Sequence, residues 1–267
     1  MTNYSLKGRR VLVTGGARGL GAGIAEAMAR AGADVMVADL LEEQGRATAY
    51  TLRQAGVQAA FVKLDVTSEA DWERGIARIL EELGGLDVLV NNAGVEFSAL
   101  VVDIDAEQLR RMLDVNVVGV ALGLKHGLRA MRPGGRAGAG GCIINISSVS
   151  ATIALPGMAG YSGTKSAVDR MTRIAAQESG RFGYGVRVNC IYPGLVPTQM
   201  GTGLAESMVK LKLAPSTEAA VRDVIGQTPL GRLGEVSDMA DAAVFLASDA
   251  SRFITGIGLP VDGGMGM

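Results

Sequence analysis

Tyr161 and Lys165 stand one helical turn apart, and Ser148 precedes the tyrosine by thirteen positions. Residues four apart share a helix face, so this Tyr-x-x-x-Lys pair gives a phenol a charged neighbour. A tyrosine titrates near pH ~10 and is a poor base at neutrality. A close ammonium favours the phenolate and draws that value toward the working range. A serine hydroxyl from a neighbouring strand end could hold a substrate oxygen beside the phenol. The chemistry these groups suit is proton exchange with an oxygen on a reacting carbon.

A second constellation lies near the N-terminus. The apolar run Val11-Leu12-Val13 leads into Thr14-Gly15-Gly16-Ala17-Arg18-Gly19-Leu20-Gly21, and an apolar helical stretch follows from Ile24. A strand, a glycine-rich turn and a helix start form a phosphate cradle: the backbone approaches a pyrophosphate closely, and the helix N-terminus offers free N–H groups. A second strand ends at Asp39, 18 residues past Gly21. An acid there is placed to grip a ribose 2′-hydroxyl.

With these residues, the chain resembles the single-domain short-chain dehydrogenase/reductases over nearly its whole length, 1–267. Thr14 to Gly21 is similar to that family's glycine motif, with Gly15, Arg18, Gly19, Leu20 and Gly21 at the cofactor. Asp65-Val66 sits where the family contacts adenine, and Asn91-Asn92-Ala93-Gly94 resembles its motif after the fourth strand. Asn116, Ser148, Tyr161 and Lys165 fall where the family carries its catalytic tetrad. Pro193-Gly194 and Thr198, with Val196 between, match the stretch at the nicotinamide end, and Val261 to Gly264 resembles the closing motif. The resemblance implies hydride transfer between a nicotinamide and a carbon bearing a hydroxyl or carbonyl, the cofactor supplying the hydride chemistry and the protein position and electrostatics. Tyr161 is then base for alcohol oxidation and acid for ketone reduction, and Ser148 steadies the substrate oxygen. Lys165 depresses the tyrosine pKa and binds the nicotinamide ribose. Asn116 is expected to position a water linking Lys165 to solvent.

Cofactor choice turns on Asp39 and Arg18. Asp39, with Leu40 beside it, can accept from both ribose hydroxyls of NAD and would repel a 2′-phosphate, whereas Arg18 could pair with that phosphate. Repulsion at contact distance in a partly buried site weighs more, so NAD is expected over NADP.

Composition fits one α/β domain of 267 residues. A net charge of −1 argues against nucleic acid or an anionic membrane as partner. Cys142 and Cys190 lie in apolar strand-like segments and read as buried thiols of a reducing compartment. The polar start, Met1 to Gly8, lacks a signal-peptide core, so a cytoplasmic location is expected. Ala137 to Thr164 carries no charge over 28 residues, but polar residues, Pro156 and glycines break it, and it reads as the floor of the site rather than a membrane span. The single histidine, His126, reads as a satisfied helix residue, and no zinc motif or Gly-x-Ser-x-Gly elbow is present.

Alternating apolar strands and amphipathic helices predict a doubly wound, seven-stranded parallel sheet covered on both faces. Strands are expected near 10–14, 34–39, 58–64, 86–91, 141–147, 186–192 and 257–261. Helices are expected near 19–31, 42–55, 69–83, 105–131, 157–182, 202–213 and 235–248. Gly15, Asp39, Asp65, Asn91, Ser148 and Pro193 then fall at strand C-terminal ends, where such sheets bind ligands. Pro133 to Gly141, with five glycines in nine residues, reads as a mobile turn. Thr198 to Pro229 reads as a closing lid.

Candidate substrate-pocket residues are Val95, Phe97, Val149, Ser150, Ile153, Leu155, Met158, Leu195, Met200, Leu204 and Met208. They are almost all apolar, and methionines suit an adaptable site. With no fixed charge visible to pair a carboxylate, they suggest a hydrophobic secondary alcohol or ketone, cyclic or steroid-like. The enzymatic alternative is a 3-oxoacyl thioester reductase whose acidic acyl carrier meets Lys125, Arg129, Arg132 and Arg136. These four serve equally as a dipole-compensating helix end. A non-catalytic dinucleotide sensor is a third reading, which the intact Asn116, Ser148, Tyr161, Lys165 set disfavours. Mean hydropathy of +0.26 and the family resemblance point to a homotetramer built on the two long helices.

Overall fold

Seven short runs of aliphatic residues pair into one all-parallel sheet, ordered β3-β2-β1-β4-β5-β6-β7. The computed structural model describes residues 4–138 and 140–267. The strands are β1 Arg10–Thr14, β2 Asp34–Asp39, β3 Ala59–Lys63, β4 Val88–Asn91, β5 Gly141–Ile146, β6 Val186–Pro193 and β7 Gly258–Val261. The helices are α1 Gly19–Arg30, α2 Glu42–Arg53, α3 Glu69–Glu82, α4 Ala106–Leu113, α5 Gly119–Met131, α6 Ala159–Arg181, α7 Gln199–Lys210, α8 Thr217–Gln227 and α9 Val236–Ala247.

Successive strand residues face opposite sides of a sheet, and here both sides are covered. Val11, Val13, Val35, Val37, Val88 and Val90 pack with Ile24 and Met28 of α1, Leu52 of α2 and Leu246 of α9. Leu12, Met36, Leu89 and Ile143 face the other way, against Trp72 and Ile79 of α3, Leu128 of α5 and Val168 of α6. Burial on both faces is why the strands read as unbroken apolar runs. Cys142 and Cys190 are free and buried in this core. His126 lies stacked on Trp72, with Nε2 3.3 Å from a Glu69 oxygen.

Sequence order reverses between β1 and β4, which lie side by side. At the base of this seam the Asp87 carboxylate accepts from Arg10 Nε (2.5 Å), Nη2 (2.9 Å) and backbone N–H (2.8 Å). At the other end of the seam, the strand C-termini form the rim of the cleft.

Three expected features differ. The single helix over 105–131 is two helices joined by a π-helical turn, Asp114–Val118. The segment 198–229, expected as a lid, holds a second helix, α8, capped by the Ser216 hydroxyl, which accepts from the Ala219 N–H. The helix expected near 202–213 starts and ends earlier, α7 running from Gln199 to Lys210 under a Thr198 cap. The glycine-rich turn at 133–141 includes residue 139, outside the described residues, as are residues 1–3 of the polar start. On either side of 139 the chain is tied back by the Ala137 N–H to the Ala130 carbonyl and the Gly140 N–H to that of Met131. Among the described residues, no helix is long and apolar enough to cross a membrane.

Candidate active site

The turn after β1 is shaped by two left-handed glycines, Gly15 (φ 64°) and Gly19 (φ 58°), a conformation glycine adopts without strain. A Cβ on Gly21 would lie 2.1 Å from the Gly15 carbonyl oxygen, so the first turn of α1 can sit on the loop only without a side chain there. The Thr14 hydroxyl accepts from the N–H groups of Asn92 (3.0 Å) and Ala93 (3.2 Å). The Asn92 amide donates to the carbonyls of Thr14 (3.0 Å) and Gly15 (3.1 Å). Asn92 thus braces the glycine turn from β4. The α1 N-terminus has no side-chain cap and no acidic residue in its first turn. A cradle that a Cβ would fill and an uncapped helix start fit a dinucleotide pyrophosphate.

Along the same rim, Asp39 is half-buried at the end of β2. Its two oxygens accept from the N–H groups of Ala17 and Leu41, each at 3.0 Å. Each oxygen keeps a lone pair for a ribose hydroxyl. Leu40 and Arg18 are exposed, and Arg18 forms no ion pair among the described residues. Asp65 accepts from the N–H and hydroxyl of Thr67, and Val66 is buried over Gly119. Residues from β1, β2, β3 and β4 therefore line one continuous edge.

The groups with chemistry to offer come from β5, α6 and the π turn. Ser148 is half-buried two residues past β5, and its hydroxyl oxygen accepts from the Ser150 N–H (3.1 Å) and hydroxyl (3.0 Å). Ser150 thereby orients Ser148. Ser147 is buried and donates to the Lys165 carbonyl. Tyr161 and Lys165 are both buried on α6, with Nζ 5.5 Å from the centre of the tyrosine ring. Lys165 donates to the Ile146 carbonyl at 2.9 Å, and burial pulls its ammonium down to about 8. Burial pushes the Tyr161 phenol upward, the Glu96 carboxylate adds to this, and Ser148 acts the other way. Desolvation dominates at the phenol, and the expected depression by Lys165 is not seen.

Asn116 is fully buried in the π turn. Its Oδ1 accepts from the Val95 N–H (2.9 Å), and its Nδ2 donates to the Val95 carbonyl (2.8 Å) and the Thr164 hydroxyl (3.1 Å). Both amide protons are engaged, so the side chain anchors the loop after β4 to α6. A Cβ on Gly94 would lie 3.3 Å from Asn116 Oδ1 and 3.6 Å from Lys165 Nζ. Pro193 ends β6, and Gly194 packs on Asp262, where a Cβ would come within 2.9 Å of the backbone. The Val196 side chain points into the main core with Ile191 and Met239. Thr198 faces Gly19 across the cleft.

The expected pocket residues separate. Val95, Phe97, Leu155, Met158 and Leu204 pack with Met112 around Tyr161. Val149 and Ser150 are buried beneath Ser148, and Ile153 is half-buried beyond them. Met208 instead packs between α7 and α8 with Ala205, Ala214 and Ala220, and Met200 is exposed. Leu195 lines a groove behind α7 with Val221 and Leu233. The sequence reading passed over Glu96, which lies between two residues assigned to the pocket. Its carboxyl is pushed upward by burial and accepts from the Ser98 hydroxyl. A charged residue flanked by apolar ones in an irregular loop, where side chains do not alternate strictly, was the available signal. It adds an acidic group, and no partner for a substrate carboxylate, to a set of expected pocket residues that is almost all apolar.

A family model described as enoyl-(acyl carrier protein) reductase matches residues 15–266. The trans-4-hydroxycyclohexanecarboxylate dehydrogenase of Sinomonas cyclohexanicum is 39% identical over 95% of this chain and 91% of its own. A 3-alpha-(or 20-beta)-hydroxysteroid dehydrogenase of Mycobacterium bovis is 40% identical over 97% and 90%. Among solved structures, an NAD+-bound xylitol dehydrogenase superposes with TM-score 0.91 at 30% identity, over 97% of this chain and 99% of that one. A gluconate 5-dehydrogenase of Burkholderia cenocepacia, solved with NADP and tartrate, gives 0.88 at 34%, over 98% and 97%. With the glycine turn, the Tyr161–Lys165 pair and Ser148 gathered on one rim of a seven-stranded parallel sheet, the chain belongs to the short-chain dehydrogenase/reductase family of oxidoreductases.

Proposed function

We propose that the protein is an NAD-dependent dehydrogenase interconverting a hydrophobic, cyclic secondary alcohol and its ketone. The observation that carries this reading is the packing of Tyr161, with Lys165 Nζ beside its ring, in the apolar cluster of Val95, Phe97, Met158 and Leu204. The two curated relatives named above are, by name, dehydrogenases of a cyclohexane and a steroid alcohol, which agrees with such a pocket, whereas the two solved structures are named for the open-chain xylitol and gluconate.

The nicotinamide, when bound, supplies and accepts the hydride at the reacting carbon. Ser148 donates its hydroxyl proton to the substrate oxygen, its own oxygen being held by Ser150. Tyr161, neutral when ligand-free, gives its proton to that oxygen in reduction and takes it back in oxidation. Lys165 holds a ribose hydroxyl once its Nζ leaves the Ile146 carbonyl, and there its charge favours the phenolate. Asn116 keeps Val95 and Thr164 in register beside Lys165. Gly15, Gly19, Leu20 and Gly21 hold the pyrophosphate, Asp39 the adenosine ribose, Asp65 and Val66 the adenine, and Ala93, Gly94, Pro193, Gly194 and Thr198 the nicotinamide end. Asp39 supports NAD over NADP, since the exposed Arg18 would have to compensate a carboxylate already fixed by two backbone N–H groups. Turnover of a panel of cyclic alcohols and ketones with both cofactors tests the reading. Inactivity on all of them, or faster turnover with NADP at equal low concentration, would overturn the corresponding part.

The acyl-carrier reading loses support. Arg129 and Arg132 close α5, which runs back toward the start of β5, at the sheet edge opposite Ser148. Lys125 pairs with Glu69, and Arg132 lies over the Tyr184 ring. A homotetramer is supported by Leu113, Val118 and Ile174, apolar and exposed on α4, the π turn and α6. A monomer mass by light scattering at micromolar concentration would contradict it.

A further inference from the structure

The loop after β4 holds a carboxylate beside the proposed reacting centre, and both ends of that loop are tied down. Val95 is fixed by the Asn116 amide through its N–H and its carbonyl. Four residues on, the Ala99 N–H donates to the Gly157 carbonyl at 2.9 Å. Val95 and Phe97, on either side of Glu96, pack into the cluster around Tyr161. Glu96 Oε1 accepts from the Ser98 hydroxyl, and that hydroxyl oxygen lies 3.7 Å from Met158 Sδ in the same cluster. Glu96 is in ion-pair range of no Lys, Arg or His among the described residues, and Ser98 supplies its one hydrogen bond there. A carboxylate can accept about four, so it enters the pocket with acceptor capacity unspent.

A partly buried charge is costly without partners, and the surrounding Val, Phe, Leu and Met side chains can supply none. Only a ligand or water can. We propose that Glu96 is a specificity-determining residue of this pocket: its carboxylate accepts a hydrogen bond from a second hydroxyl on the substrate and turns away substrates bearing a carboxylate. This rests on the alcohol–ketone reading above and narrows it to alcohols with a second neutral donor, such as cyclic diols.

The test compares kcat/KM for cyclohexanol, the cyclohexanediol isomers and 4-hydroxycyclohexanecarboxylate in the wild type, Glu96→Gln and Glu96→Leu. A hydrogen bond to a charged acceptor corresponds to roughly ten- to a hundredfold, so the best diol should exceed cyclohexanol by that factor in the wild type. In Glu96→Leu the diol-to-cyclohexanol ratio should fall by the same factor, chiefly through KM. The carboxylate-to-cyclohexanol ratio should rise at least tenfold in both variants. Glu96→Gln keeps an acceptor and should retain part of the diol preference; being isosteric, it decides the carboxylate arm if the leucine variant does not fold. Turnover with ratios identical in wild type and variants would overturn the role of Glu96 while leaving the alcohol reading intact, since a merely structural defect lowers all substrates together. Wild-type inactivity on every alcohol would overturn both.

Discussion

Around the glycine turn, polar side chains are spent on the backbone: Thr14 on Asn92 and Ala93, Asn92 on Thr14 and Gly15, Asp39 on Ala17 and Leu41. The opposite wall, from Val95 to Phe97 and across Met158 to Leu204, is apolar and carries one carboxylate with capacity to spare. The first wall presents a fixed outline of N–H groups to a ligand that does not vary. The second presents side chains, which can change without disturbing the sheet. Substitutions on the first wall should therefore damage affinity and fold together, and those on the second should alter rate or choice of substrate.

The largest effect is expected at the junction of the walls. Tyr161→Phe keeps the ring and removes the proton, so turnover should drop by about a hundredfold to ten-thousandfold, with cofactor affinity, read by fluorescence titration, within about twofold of wild type. Near-normal turnover would sink the assignment of the phenol.

Lys165 separates rate from stability. Its ammonium is depressed from its ordinary value to about 8 by burial, so between about pH 8 and pH 10 the unfolded chain binds more protons than the folded one. Stability from this group then rises with pH through that window and is lowest below pH 8. Lys165→Met should abolish turnover and weaken cofactor binding, yet raise the ligand-free stability at pH 7 by about 2 kcal/mol. The gain should shrink as pH approaches 10, where the buried tyrosines begin to oppose folding. A denaturation series at pH 7, 8.5 and 9.5 measures it; a gain that grows with pH would contradict the sign.

On the fixed wall, Gly21→Ala places a Cβ against the Gly15 carbonyl and should cost about 3 kcal/mol, with cofactor affinity lost in proportion. Unaltered stability and affinity would mean that the outline of this wall yields. The smallest effect is the most selective: Asp39→Ala should narrow the NAD-to-NADP ratio of kcat/KM by about tenfold and lower the melting temperature modestly, since the Ala17 and Leu41 N–H groups lose their acceptor. A ratio that stayed put would remove Asp39 from cofactor choice.

The same contrast explains what could be read in the sequence. The central strands β1, β2 and β4 were legible because burial on both faces leaves apolar runs, and the fixed wall was legible because glycine spacing encodes backbone conformation directly. α8 was not, since its buried positions are alanines, Ala219 and Ala220, which give a weak apolar period. The π turn within 105–131 was hidden because Asp114 to Val118 continues the helical pattern; it is the engagement of Asn116 with Val95 and Thr164, across the chain, that distinguishes it. Glu96 escaped for a related reason: its surroundings are assembled from α4, α6 and α7, and no local pattern announces them.

The Arg10–Asp87 clasp at the base of the β1–β4 seam joins residues 77 apart in sequence. Neither strand can find its neighbour until the intervening β2 and β3 units have been made and moved aside. Such long-range parallel pairing is slow to nucleate, so β1 and β2 should form early with one edge of β1 open, and the arrival of β4 should be the committing event. A chain truncated before Asp87 would end as a collapsed three-stranded fragment prone to aggregate. The crevice that receives the dinucleotide is thus also the joint whose closure lets the second half of the sheet, β5 to β7, be added.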